Sequence, residues 1–140
     1  MTAKLSVTGV LLALVAAGCA TTPPTRMASC NDQECHVVVT VTDCRISVDH
    51  DPISVNGPNH EIHWDIDPQS TGYTFAGDGI IIKDFDPLRE FTNPRRPQAT
   101  KFIWHDRNSV ARIEPFKYGI NVLRNGTPCG PHDPGIINNG

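Results

Sequence analysis

The sequence predicts an all-β sandwich of about seven short strands. Three observations predict it. Twelve prolines and eleven glycines interrupt the 140 residues every few positions, so a sustained 3.6-residue apolar period is absent. Short runs alternate apolar and polar residues or are rich in valine and threonine. Turn-forming residues stand between those runs.

The elements follow in order. HVVVTVTDC (36–44) is the strongest strand signal, a β-branched run. ISV (53–55) is a short strand after the turn-like DHDP. EIHWDID (61–67) alternates strictly, with Ile62, Trp64 and Ile66 on one face and Glu61, His63, Asp65 and Asp67 on the other. GYTFAG (72–77) and GIIIKDF (79–85) are expected as two strands separated by Gly-Asp-Gly. FDPLREFTNPRRPQA (85–99) is the longest polar, proline-rich connection, expected as an irregular loop or one helical turn. TKFIWHD (100–106) puts Phe102 and Trp104 on one face. PFKYGINVL (115–123) does the same with Phe116, Tyr118, Ile120 and Val122, and RNGTP (124–128) is a turn. Trp64, Trp104, Phe75, Phe102, Phe116 and Tyr118 are therefore expected in the core. In the tail DPGIINNG (133–140), the Ile136-Ile137 pair suggests docking on the domain.

Residues 1–18, MTAKLSVTGVLLALVAAG, read as a signal peptide: one cation, Lys4, then an apolar run from Val10 to Ala17 too short to span a bilayer. Ala16-Ala17-Gly18-Cys19 resembles a bacterial lipobox, with Ala16 where leucine is commonest. That resemblance implies lipidation of Cys19, a membrane anchor, and an outer-membrane location facing the periplasm because Ala20 is not Asp. An ordinary signal peptide with a chance cysteine is the plainer alternative. Residues 19–29 read as a small, polar, proline-containing tether and 30–140 as one domain.

The chain has 12 basic and 15 acidic residues, a net charge of −3. No basic cluster stands out beyond Arg95-Arg96, so nucleic acid is not an expected partner. The cysteine count sharpens the compartment. With Cys19 lipidated, Cys30, Cys35, Cys44 and Cys129 remain, an even set that reads as two disulfides in an exported chain. Three pairings are open. The preferred one closes a small loop with Cys30–Cys35 and joins the ends of the domain with Cys44–Cys129. A bridge across about 85 residues stabilises by roughly 4 kcal/mol in the chain-entropy model.

VVVTVTD, DPISVNGPNHEIHWD, STGYTF, KFIW and FKYGI, taken in sequence, resemble the strand pattern of cupredoxin-like sandwiches. The resemblance covers nearly all of residues 36–123 and implies a Greek-key β-sandwich. The DP-x-I-x-N tail is also similar to that of small exported proteins with no established activity. Cupredoxins bind copper through two His, a Cys and a weak axial ligand. Here the first histidine slot falls near Tyr73, the cysteine slot on Ile120, and the single methionine after the leader, Met27, lies in the tether. The resemblance thus implies a sandwich without its copper centre. It also implies that the first and last strands are parallel neighbours, which suits a Cys44–Cys129 bridge.

Other constellations are weaker. Cys129 and His132 form a Cys-x-x-His pair in a Pro/Gly-rich loop, a candidate copper or redox site if Cys129 is a free thiolate. His60 and His63 are three apart on a strand, not the four apart on a helix that a zinc peptidase needs. Glu61, His63, Asp65 and Asp67 could hold a metal with two or three ligands, but alternation alone predicts a solvent face there. No nucleophile motif is present. The expected function is a non-catalytic, lipid-anchored envelope protein with a binding or structural role and no cofactor. Its partner would be a protein or small molecule met through loops including 68–79 and 85–99. Copper binding at Cys129 and His132 is one alternative. An inhibitor or immunity-type lipoprotein contacting its target through Arg95 and Arg96 is another.

Overall fold

A computed structural model describes residues 28–30 and 32–140. The expected signal peptide, Cys19 and the expected tether as far as Met27 lie outside the described residues. Eleven strands are present and no helix among the described residues. They are β1 (Ala28–Cys30), β2 (Glu34–Thr42), β3 (Arg45–Val48), β4 (Ile53–Val55), β5 (His60–Ile66), β6 (Tyr73–Ile82), β7 (Phe91–Gln98), β8 (Lys101–Asp106), β9 (Phe116–Arg124), β10 (Thr127–Pro128) and β11 (Gly135–Asn138).

They form two mixed sheets, and the protein is an all-β sandwich. One sheet runs β3-β2-β5-β8-β7; the other runs β1-β4-β11-β9-β10, with β6 on the free edge of β9. β2 pairs with β5 in parallel, and β4 pairs in parallel with both β1 and β11. The remaining pairs are antiparallel.

The apolar faces read from the sequence are the faces that meet. Ile62, Trp64 and Ile66 of β5 and Phe116, Tyr118, Ile120 and Val122 of β9 are all buried. Three aromatic pairs join the sheets: Trp64 with Tyr118, Phe75 with Phe102, and Phe91 with Phe116, at centroid separations of 5.3, 6.0 and 5.0 Å. The tail docks as expected, with Ile136 fully buried between β4 and β9. Trp104 departs from expectation. It is half-buried at the sandwich edge, where its Nε1 donates to the Ile80 carbonyl at 3.0 Å.

Four features differ from the sequence reading, each for a local reason. The strand count is eleven rather than seven, because β1, β10 and β11 are short and β3 follows a turn without Gly or Pro. That turn is Asp43-Cys44, both at positive φ (49° and 58°), the shape that closes a two-residue hairpin. Second, Gly-Asp-Gly is not a turn between two strands. Tyr73–Phe75 and Ile80–Ile82 both pair with β9, and the register shifts between them, so 77–79 is a bulge within one strand. Gly79 is required there, since a Cβ would lie 2.7 Å from Phe75 Cβ. Third, the second half of 85–99 is strand β7. It lies at the sheet edge with two register shifts against β8, which is how a strand accommodates Pro94 and Pro97.

The fourth concerns the disulfides. Cys30 is bonded to Cys35, and Cys44 to Cys129, as preferred. The parallel-neighbour relation is not what joins the latter pair, because β2 and β9 lie in opposite sheets. The bridge crosses the sandwich, from the β2–β3 turn to the end of β10. The Cys44 N–H also donates to Tyr73 Oη at 3.2 Å, so the turn is fixed to the other sheet twice.

Candidate functional site

Cys129 does not form a ligand site with His132. Its sulfur is bonded to Cys44, so it presents no thiolate, and its N–H donates to the Val122 carbonyl at 2.8 Å. The His132 carbonyl accepts from Ile120 N at 2.9 Å, continuing the edge of β9. Both residues of the Cys-x-x-His pair thus hold the last loop on the sandwich. Tyr73 and Ile120 are both buried among the core residues.

The polar face of β5 differs from the solvated stripe its alternation predicts. Parallel pairing with β2 sets Glu34 opposite Glu61, His36 opposite His63, and Val38 opposite Asp65. Antiparallel pairing with β8 sets His105 opposite Glu61 and Lys101 opposite Asp65. Two strands distant in sequence therefore build one face of histidines and carboxylates. The His36 and His63 rings meet edge to face at 4.8 Å. His36 Nε2 is 3.5 Å from Glu34 Oε2, and its Nδ1 is 3.5 Å from Asp65 Oδ2. His63 Nε2 is 3.2 Å from Glu61 Oε2. One ligand atom from each of Glu34, His36 and His63 falls within 4.8 Å of the other two.

His63 is the buried member, with its side chain 8% exposed, while His36 is 54% and Glu34 61% exposed. A residue predicted to face solvent is covered because β2 on one side and β8 on the other carry bulky neighbours at its register. His63 Nδ1 is buried without a hydrogen-bond partner. Glu61 is fixed from the far side by Arg95, whose Nη2 donates to its Oε1 at 2.7 Å. That hydrogen bond is the main cause that holds the Glu61 carboxyl below its ordinary range; burial opposes it, and the hydrogen bond with His63 adds a smaller lowering effect. Asp67, the fourth member of the predicted stripe, turns away and caps a turn through Gln69 N at 2.8 Å.

The Arg95-Arg96 pair is also engaged within the domain. Arg95 holds Glu61, and Arg96 Nη1 donates to the Phe75 carbonyl at 2.7 Å, tying β7 to β6 across the sandwich opening.

Sequence reading missed a second surface. Residues 83–90 and 107–115 form two neighbouring loops, joined where the Arg107 N–H donates to the Glu90 carbonyl at 2.8 Å and where Ser109 N and Oγ donate to the Glu90 carboxylate at 2.7 and 2.5 Å. Phe85 is 86% exposed and Ile113 97%, with Leu88 and Val110 also exposed. Phe85, Leu88, Val110 and Phe116 line a cavity of ≈ 310 Å³ between the loops. Its only sequence signal is large apolar residues within otherwise polar connections, at positions with no strand period.

Beneath these loops lies a buried polar cluster. Asp106, Asn108 and Asn138 are enclosed, and Asp106 Oδ1 accepts from Asn108 N at 2.9 Å and from Asn138 Nδ2 at 3.0 Å. Asn108 Nδ2 in turn donates to the carbonyls of Val55 and Gly57. Burial is the main cause that raises the Asp106 carboxyl to about 6, partly opposed by the hydrogen bonds from Asn108 N and Asn138 Nδ2.

No protein-family model matches the chain, and no curated protein matches it.

Proposed function

We propose that this chain is a non-catalytic binding protein of the bacterial envelope, exported, lipidated at Cys19 and held at the membrane by a short tether. The domain is read as a cupredoxin-like sandwich without copper ligands. Support for that reading comes from the two mixed sheets, from the order of the strand motifs, and from Tyr73 and Ile120 at the ligand slots. The two disulfides suit an oxidising compartment outside the cytoplasm.

The observation that carries the binding role is the loop pair 83–90 and 107–115. Monomeric proteins seldom cluster large apolar side chains at loop tips without a use for them. Phe85, Leu88 and Val110 do so around a cavity that accepts one apolar side chain, and Ile113 is exposed on the same loop as Val110. Arg89 and Arg107 are exposed beside it. The partner that fits is a protein surface presenting an apolar side chain flanked by carboxylates. The contact surface proposed is therefore the loops around Phe85 rather than the Arg95-Arg96 strand.

A photo-reactive phenylalanine analogue at Ile113, irradiated in intact cells, tests the reading. A discrete protein adduct is expected, and Phe85→Asp in the same chain should abolish it. Adducts to lipid alone would make the surface a membrane contact and overturn the protein-partner reading. An absent adduct, or one indifferent to Phe85→Asp, would remove the loop pair as the binding surface.

A further inference from the structure

We infer that Glu34, His36 and His63 form a binding site for a borderline divalent transition-metal ion, Zn²⁺ or Cu²⁺, on the outer face of the five-stranded sheet. The site is separate from the loop pair and does not depend on the function proposed above.

The donor set comes first. Two imidazoles and a carboxylate are the ligand types that zinc and copper take, whereas magnesium and calcium want oxygen alone. The strand register comes next. Parallel, in-register pairing of His36 with His63 is a fixed property of the backbone, and Glu34 lies on the same face two residues before His36. No loop has to be ordered to bring the three together. Their ligand atoms already lie within 4.8 Å of one another. A tetrahedral ion with bonds of 2.0–2.1 Å needs ligand atoms about 3.3 Å apart. The two ligands that must close that gap, Glu34 and His36, are the exposed and rotatable ones. The rigid one, His63, is on the central strand β5, enclosed by β2 and β8.

The environment also favours an ion. Glu61 Oε2 is 3.2 Å from His63 Nε2, so a further carboxylate stands against the buried imidazole and adds negative charge to the site. Arg95 holds the other oxygen of Glu61 and keeps the carboxylate aimed at His63, the kind of outer support that metal sites use. Asp65, on the other side of His36, adds negative charge within 3.5 Å of its ring. His63 makes one hydrogen bond, through Nε2 to Glu61, and its other ring nitrogen, Nδ1, is buried without a partner. A valine or isoleucine at the same position would leave no such buried polar atom. A ligand role accounts for an imidazole there.

The test uses the full chain, without affinity tag, stripped with a chelator and titrated with Zn²⁺ and separately with Cu²⁺ by calorimetry. One ion per chain is expected, at micromolar affinity or tighter. His36→Ala and Glu34→Gln change exposed residues, so both variants should fold and melt as the parent does. Each should weaken binding by about tenfold or more, while His132→Ala leaves it unchanged. The Cu²⁺ form should show magnetic coupling to two imidazole nitrogens, reduced to one in His36→Ala. Failure to bind either ion near equimolar ratio would overturn the inference. So would parental affinity in both His36→Ala and Glu34→Gln, which would put the ion elsewhere on the chain.

Discussion

Asp106 offers the most direct check on the interior. It is fully enclosed at the end of β8, and burial raises its carboxyl from the ordinary 3.8 to about 6. Its Oδ1 has two donors, but Oδ2 has none, and Asn138 Oδ1 is also without a partner. Protonation puts a hydrogen on the carboxyl beside that amide and removes a buried charge. The folded protein therefore holds this proton more tightly than the unfolded chain. An acid whose carboxyl is raised on folding contributes stability at low pH and loses it as pH rises. The Asp106 contribution is full below about pH 4 and gone above about pH 6. A rise from 3.8 to about 6 corresponds to about 3 kcal/mol. Asp106→Asn keeps the Oδ1 acceptor, replaces the unpartnered Oδ2 with an amide nitrogen, and never ionises. Urea unfolding of parent and variant at pH 4, 5, 6, 7 and 8 measures the difference, in which other titrating groups largely cancel. The variant should gain on the parent by about 2.4 kcal/mol between pH 4 and pH 7, with a slope of about 1.2 kcal/mol per pH unit at its steepest. Glu90 and His60 are the charged neighbours felt by Asp106, and neither changes the sign. A difference that stays flat from pH 4 to 8 would refute the claim that Asp106 carries a raised carboxyl in the fold.

Four further outcomes are expected. Trp64→Ala removes the largest enclosed side chain and its contact with Tyr118, and should cost roughly 3–5 kcal/mol in denaturant unfolding; an unchanged midpoint would contradict the strand register. Gly79→Ala should cost about 1–3 kcal/mol, because its Cβ meets Phe75 and Phe102 inside the bulge, whereas Gly77→Ala, with open space around it, should cost less in the same assay. Mass spectrometry after alkylation without reduction should find no label on Cys30, Cys35, Cys44 or Cys129, and Cys44→Ser with Cys129→Ser should lower stability by roughly 4 kcal/mol. Cys19→Ser should move the chain from the membrane fraction to the soluble one; retention on membranes would count against the lipid anchor.

Much of the fold is legible in the sequence because burial in a sandwich repeats every second residue. Ile62, Trp64 and Ile66, and Phe116, Tyr118, Ile120 and Val122, declare their faces by alternation alone. Asn125-Gly126 declares its turn because both positions need positive φ. The even set of four cysteines after Cys19 declares two bridges, and the core end of the tail is marked by Ile136. Elements without such a signal were not legible. β7 is written in prolines and arginines, which only its edge position tolerates, and the bulge at 77–79 is written as a turn. His63 has the polar signature of a solvent face, yet it is closed in.

Alternation and turn chemistry thus determined the class of the fold and the inward faces of β5 and β9. Strand pairing is a contact between segments far apart in the chain, and neither residue type nor local period encodes which strand lies next to which. Tertiary structure alone decided that His36 stands beside His63, that Glu34 and Glu61 join them, and that Cys44 meets Cys129 across the sandwich. It also set Phe85 and Ile113 in neighbouring loops. The physical reason is the same throughout: a period places a side chain on a face, but only the register of the neighbouring strand decides what it touches.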